Sequence, residues 1–201
     1  MLKRFTGFIV LAVMLAATTA HAETTPTEDV RVSVDAVIAL LRDDQTDRES
    51  RRDRMRDVIE KRFDFRAMSQ RTLATNWKKA SNEEKQKFTE LFAELIQHSY
   101  VSKIESYTNE TVEYPGEKKN GRKAVVDTLI ITSSAEIPVN YKVYLKDGSW
   151  LVYDVIIEGV SLISNYRSSY QEIVKKDGFD GLLVRMEEKI RELKSAPEEA
   201  G

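Results

Sequence analysis

None of the 201 residues is cysteine. That excludes a structural disulfide and any thiolate metal site. It also excludes the lipidated cysteine by which a bacterial lipoprotein is anchored after its leader. Histidine is nearly as scarce: His21 and His98 are the two in the chain. Beyond residue 22 only His98 remains, so no histidine cluster can hold a metal. A Ser-His-Asp triad could use only His98, and no Gly-x-Ser-x-Gly elbow holds a serine for it. No glycine-rich phosphate loop follows a strand pattern. Lying within a long helical pattern, His98 reads as a surface or hydrogen-bonded residue. No apolar run after residue 22 approaches the ~20 residues that span a bilayer. Nor is there a basic excess: the formal charge is −2, with 32% charged residues of both signs. This argues against a nucleic-acid binder.

What is present begins with a leader. Lys3 and Arg4 precede an apolar run from Phe8 to Ala17, and Ala20-His21-Ala22 supplies the small residues that precede a signal-peptidase cut at Glu23. Residues 1–22 are therefore expected to be a cleaved secretory signal, which predicts export to the periplasm. Removing Lys3 and Arg4 lowers the net charge to −4. Residues 23–195 suit one domain, and 196–201 read as a flexible tail.

Glu23 to Thr27 reads as a polar leader segment. Val30, Val34, Val37, Ile38 and Leu41 then mark an amphipathic helix. A charge-dense stretch with a turn near Asp47 leads to a second helix carrying Met55, Val58, Ile59 and Phe63. Asp64 can cap a third, with Phe65, Met68, Leu73 and Trp77. Ser81 and Glu84 form a capping box opening a long helix from Phe88 through Tyr100 to Ile104. Strand patterns follow: a short one from Thr111 to Tyr114 ending at Pro115-Gly116, then 124–132, 139–145 and 149–157. Asn120-Gly121 and Asp147-Gly148 are hairpin turns. The last strand is apolar on nearly both faces, which predicts a central, doubly covered position. Ser161 can cap a further helix, Gly178 breaks it, and Phe179 to Leu193 is a final one. Helices, strands, then helices predict an α+β domain with an antiparallel sheet.

Two carboxylates stand out, Asp127 and Asp154, each in a strand pattern. One reading is a general base of a small isomerase or hydrolase; the other is a carboxylate satisfied by hydrogen bonds. Arg48 to Arg56 mixes signs and reads as a solvated helix face. The basic turn from Lys118 to Lys123 is a soluble hairpin tip or a dock for an acidic partner or anionic headgroups.

Residues 152–167, from Val152-Tyr153-Asp154 through Glu158-Gly159-Val160-Ser161 to Arg167, resemble the C-terminal signature of the MlaC family of periplasmic phospholipid carriers, also called the toluene-tolerance family. Gly178-Phe179-Asp180-Gly181-Leu182 fits its next block. Phe63-Asp64-Phe65, Met68, Leu73, Trp77 and the Ser81 helix extend the likeness over most of 30–190. The resemblance implies a curved antiparallel sheet packed with helices around a hydrophobic pocket that holds phospholipid acyl chains. It implies no catalytic residue and no cofactor. As partners it implies an inner-membrane ABC transporter complex with a hexameric substrate-binding ring, and an outer-membrane lipoprotein complex. Combined with the inward strand positions, it nominates Tyr100, Ile104, Val126, Ile130, Tyr141, Val143, Val152, Val155, Ile157, Val160 and Ile163 as pocket lining. Tyr141 and Tyr166 are further candidates to hold a polar group at the mouth. A third reading, an adaptor with a filled core, remains open at this level.

Overall fold

The computed structural model describes residues 24–105 and 110–195. The predicted signal (1–22) and tail (196–201) lie outside the described residues.

Among the described residues the elements follow one another as α1 (Pro26–Leu41), α2 (Arg48–Arg62), α3 (Phe65–Leu73), α4 (Asn82–Glu105), β1 (Thr111–Asn120), β2 (Lys123–Ile131), β3 (Glu136–Lys146), β4 (Ser149–Ile157), β5 (Val160–Ser161) and α5 (Leu162–Ser195). The caps explain the helix starts. Thr25 and Glu28 exchange side-chain-to-backbone bonds around Pro26, so most of the expected polar leader is cap and first turn of α1. The indole Nε1 of Trp150 donates to Thr24 O at 2.9 Å and ties this end down. Asp47 and Asp64 cap α2 and α3, and the Ser81–Glu84 box opens α4.

The third helix is shorter than its pattern. It stops at Leu73, where Ala74 turns to φ 50, and Trp77 sits in a 3-10 turn over Ala74–Lys78. Apolar spacing continued through the turn because Trp77 packs into the same core.

The sheet is an antiparallel meander in the order β1-β2-β3-β4-β5. β1 runs past Pro115-Gly116 to Asn120, because an extra residue between Glu113 and Gly116 absorbs the proline at an edge strand. Asn120 pairs with Lys123, leaving Gly121 (φ 58) and Arg122 as the turn. Asp147 (φ 50) and Gly148 (φ 83) form the tight two-residue turn between β3 and β4.

β4 carries a second irregularity. Lys142 pairs with Asp154 and Val143 with Val152, so Tyr153 is the extra residue. Trp150 and Val152 before it, and Val155 and Ile157 after it, therefore share the inner face. Both faces of β4 are covered, by α1 and α2 on the inner side and α3 and α5 on the outer. Its place is not central, however: only two-residue β5 lies beyond it.

Two cores result. One joins α3, α4 and α5 around Phe88, Phe92 and Tyr170, with ring centroids 5.6 and 5.9 Å apart for Phe88 with Phe92 and with Tyr170. The other lies on the inner sheet face, where Val126, Val143, Trp150 and Val152 pack with Val30 of α1. Phe63, at the α2–α3 junction, touches both and bridges to Val152.

α1, α2 and β4 meet at a buried polar node. The Asp29 carboxylate accepts from Trp150 N at 2.7 Å and pairs with Arg62 at 3.1 Å. Arg62 also donates to Trp150 O at 2.8 Å and to Ser33 Oγ at 2.9 Å. Gly178, at φ 75 and ψ −176, is not helical, so α5 is two helical segments that meet at a kink there, in keeping with the break expected at this glycine.

Two stability outcomes follow from these contacts. Arg62→Met leaves Asp29 buried without its cation and is expected to cost about 3–5 kcal/mol in chemical denaturation. Gly178→Ala puts a side chain in a region open essentially to glycine alone and is expected to cost about 1–3 kcal/mol; an unchanged midpoint would show that the bend can relax.

Candidate functional site: an apolar cavity between helices and sheet

Two adjoining cavities occupy the space between the inner sheet face and the helices. The larger, about 800 Å3, lies between α2, α4 and strands β2–β4. The smaller, about 180 Å3, lies under α1 and α2. Both are bounded by Ile59, Phe63, Ile104, Ile130 and Tyr141. A volume of that size falls within the range of ~300–1,000 Å3 typical of small-molecule sites.

The walls follow from element periods. Val34, Val37, Ile38 and Leu41 recur at helical spacing on α1 and line the smaller cavity. Each stays half-buried, because the side it presents to the sheet meets space rather than side chains. Ile96, Tyr100 and Ile104 recur at helical spacing on α4 and line the larger cavity, facing Val139, Tyr141, Val155 and Ile157 on alternating strand positions.

Of the residues nominated from sequence, Tyr100, Val155 and Ile157 lie on the larger cavity, Val152 on the smaller, and Ile104, Ile130 and Tyr141 on both. Four are on neither wall. Val126 and Val143 have no exposed surface, since α1 closes over them and fills that end of the sheet. Ile163 packs among Phe88, Phe92 and Leu182 in the helical core on the far side of β4. Val160 is 61% exposed, on the short edge strand. Tyr166 stands edge-on to Phe92 at 5.5 Å, away from the mouth. Spacing overlooked the α1 and α2 contributions, although their apolar stripes were plain, because a stripe facing a void repeats like a stripe facing a core.

Tyr141 brings the polar atom of its hydroxyl into this wall. Burial pushes it up to about 12, so it stays a neutral phenol. His98 stands at the rim of the larger cavity; burial lowers its pKa, with Lys194 acting in the same direction.

The rim is charged. Arg48, Glu49, Arg52, Asp53 and Arg56 of α2 face Gln97, His98 and Lys103 of α4 across the opening. Arg56 pairs with Asp53 along its own helix, as a solvated face would. Arg48 and Arg52 instead reach Glu105 at the end of α4, at 2.9 and 2.7 Å. Gln97 donates to Glu60 at 3.1 Å. These side chains bridge helices that the cavity holds apart. Burial of the Glu105 carboxyl opposes ionisation, but the hydrogen bonds from Arg52 and Arg48 win and hold it at about 2.

Neither strand aspartate enters the cavities. Asp154 lies on the outer side of β4, where its carboxylate accepts from Lys142 at 3.1 Å, Ser161 Oγ at 2.8 Å and Ile163 N at 3.2 Å. Ser161 Oγ in turn caps α5 through Ser164 N. The Tyr153–Ser161 block thus fastens β4 to α5. Asp127 accepts from Asn140 on the same outer face. Among the described residues no group of histidine, aspartate and glutamate is arranged to hold a metal ion, and no helix is long and apolar enough to cross a membrane.

Comparison with known proteins gives a consistent set. The model of the MlaC protein family matches residues 31–188. The intermembrane phospholipid transport system binding protein MlaC of Haemophilus influenzae is 24% identical over 89% of this chain and 88% of its own. The toluene tolerance protein ttg2D of Pseudomonas putida is 25% identical over 51% of this chain and 49% of its own. The solved structure of a Ralstonia solanacearum phospholipid-binding protein, in complex with a phospholipid, superposes with a TM-score of 0.79 at 22% identity, covering 86% of this chain and all of that one. The likeness in fold extends to the helices over an open antiparallel sheet.

The bridge across the rim has a pH signature. Glu105 is lowered from 4.5 to about 2, so its contribution to stability is complete above pH 4.5 and is lost as pH falls through about 2. Urea unfolding across that interval is expected to show a shallower decline for Glu105→Gln than for the parent; identical slopes would assign the loss to other carboxylates.

Proposed function

The chain belongs to the MlaC family, and from that premise we propose that it is a phospholipid carrier that takes acyl chains into the two adjoining cavities and shuttles lipid through the periplasm. Its partners in this reading are an inner-membrane ABC transporter complex with a substrate-binding ring and an outer-membrane lipoprotein complex, and its task is to maintain outer-membrane lipid asymmetry. The leader at residues 1–22 supports the periplasmic location. The phospholipid in the Ralstonia solanacearum structure and the name of the Haemophilus influenzae relative support the ligand class.

The observation that carries the reading is the pair of apolar cavities, open at one end through a charged rim. An acyl chain crossing water exposes methylenes at about 0.8 kcal/mol each, so a chain of roughly sixteen carbons faces on the order of 12 kcal/mol. An apolar cavity removes that cost. Bilayer and cavity are then nearly balanced, and loading and release need no chemistry within the carrier. Direction comes from the partners. The positions of Asp127 and Asp154 outside the cavities weigh against an isomerase or hydrolase, and the cavities themselves weigh against an adaptor with a filled core.

Native mass spectrometry of the exported protein, with lipid extraction, is expected to find co-purifying phospholipid. Ile130→Trp, which fills the space where the two cavities meet, is expected to reduce bound lipid several-fold while the thermal midpoint is maintained. Absence of lipid from the parent protein, with no uptake from vesicles, would overturn the carrier reading.

A further inference from the structure

Resting on the reading that the cavity takes a phospholipid, we propose that Arg48 and Arg52 form the binding site for the lipid's phosphate, and that Glu105 is its built-in competitor. Both guanidinium groups already grip an anion. Arg52 donates Nε to Glu105 Oε1 at 2.7 Å and Nη2 to Oε2 at 2.8 Å. Arg48 donates Nε and Nη2 to Oε2 at 3.3 and 2.9 Å. A planar fork of this kind fits a phosphate as well as it fits a carboxylate.

Their position suits a lipid. Arg48 and Arg52 line the rim of the larger cavity, and Met55, Ile59 and Phe63 continue the same helical stripe inward along its wall. At a rise of 1.5 Å per residue, Ile59 lies about 10 Å deeper than Arg52. The stripe from Arg48 to Phe63 therefore changes from cationic to apolar along its length, in the order headgroup then acyl chain. Glu105 is absent from the cavity wall and holds the two arginines from the α4 side, its side chain 8% exposed. An anion arriving through the mouth meets the guanidinium groups on the way to the apolar floor and exchanges with Glu105 for them.

The rim as a whole is not a positive field. Glu49, Asp53 and Glu158 also line it, and Arg56 is paired with Asp53. Recognition therefore rests on the two forks and discriminates phosphate from no phosphate. A headgroup amine does not diminish it, because zwitterionic and anionic phospholipids share the phosphodiester. Exchange with Glu105 also means that releasing the lipid re-forms the bridge between α2 and α4, so the arginines are never left without an anion.

The test compares two lipids with the same acyl chains, phosphatidylglycerol and diacylglycerol, offered to the exported protein in vesicles and counted by native mass spectrometry. The parent is expected to prefer the phospholipid. The double variant R48Q/R52Q is expected to lose about tenfold or more of that preference, with diacylglycerol uptake retained. Glu105→Gln, close in shape to the parent, is expected to strengthen the preference, and it decides the matter alone if the double variant does not fold. Glycerol phosphate, which has the anion without the chains, is expected not to displace bound lipid. Displacement by it would make this a site for soluble phosphate esters and overturn the assignment to lipid. An unchanged preference in R48Q/R52Q, or an equal rise in uptake of both lipids in Glu105→Gln, would also overturn the phosphate site, the latter reducing the bridge to a mechanical strap. Equal uptake of both lipids by the parent sinks the phosphate site alone; uptake of neither sinks the carrier reading itself.

Discussion

The Asp29–Arg62 pair is the contact on which the rest of this architecture depends. It binds α1 and α2 to the backbone of Trp150 on β4, through bonds of 2.7 and 2.8 Å to Trp150 N and O. A buried ion pair gains little over an apolar contact, but losing either partner leaves an uncompensated charge. The pair therefore enforces one arrangement. With α1 and α2 pinned at this end of the sheet, α1 seals the inner face over Val126, Val143 and Trp150. Beyond it the apolar surfaces of α1, α2, α4 and the sheet enclose the two cavities.

The molecule thus combines a filled core with an unfilled one. The aromatic cluster of α4 and α5 and the sealed end of the sheet supply packing, and the cavity contributes little of it. Apolar walls that face space forgo the dispersion contacts of a packed interior. That cost is borne by a scaffold stapled elsewhere, including at the Asp154–Ser161 contacts between β4 and α5. Within the signature block Asp154 and Ser161 do this structural work on the outer face of the sheet, while Val152, Val155 and Ile157 line the cavities on the inner one.

Much of the scaffold was legible in the residues. Ser81 and Glu84 announced α4, Asp64 announced α3, Asp147-Gly148 announced a hairpin, and β4 was read to its last residue. The failures have local causes. Pro115 concealed the length of β1 because an edge strand tolerates proline where a bulge absorbs it. Trp77 extended α3 too far because a 3-10 turn keeps its side chain in the same core. The pocket was harder. Ile104, Ile130, Tyr141 and Val155 line the cavities, whereas Val126 and Val143 share the inner sheet face without lining them, and nothing in an alternating strand separates the sealed end from the open one.

By itself the sequence determined which side of each element is apolar, where helices and turns begin, and the family to which the chain belongs. These depend on neighbours three or four residues away, or two along a strand. Only the tertiary structure decided which apolar sides close on one another and which enclose space. That depends on the distance between elements, set by contacts such as Asp29 with Trp150, 121 residues apart, and Arg52 with Glu105, 53 apart. No periodicity records such pairings, because each partner is an ordinary residue of its own element until the fold brings the other to it.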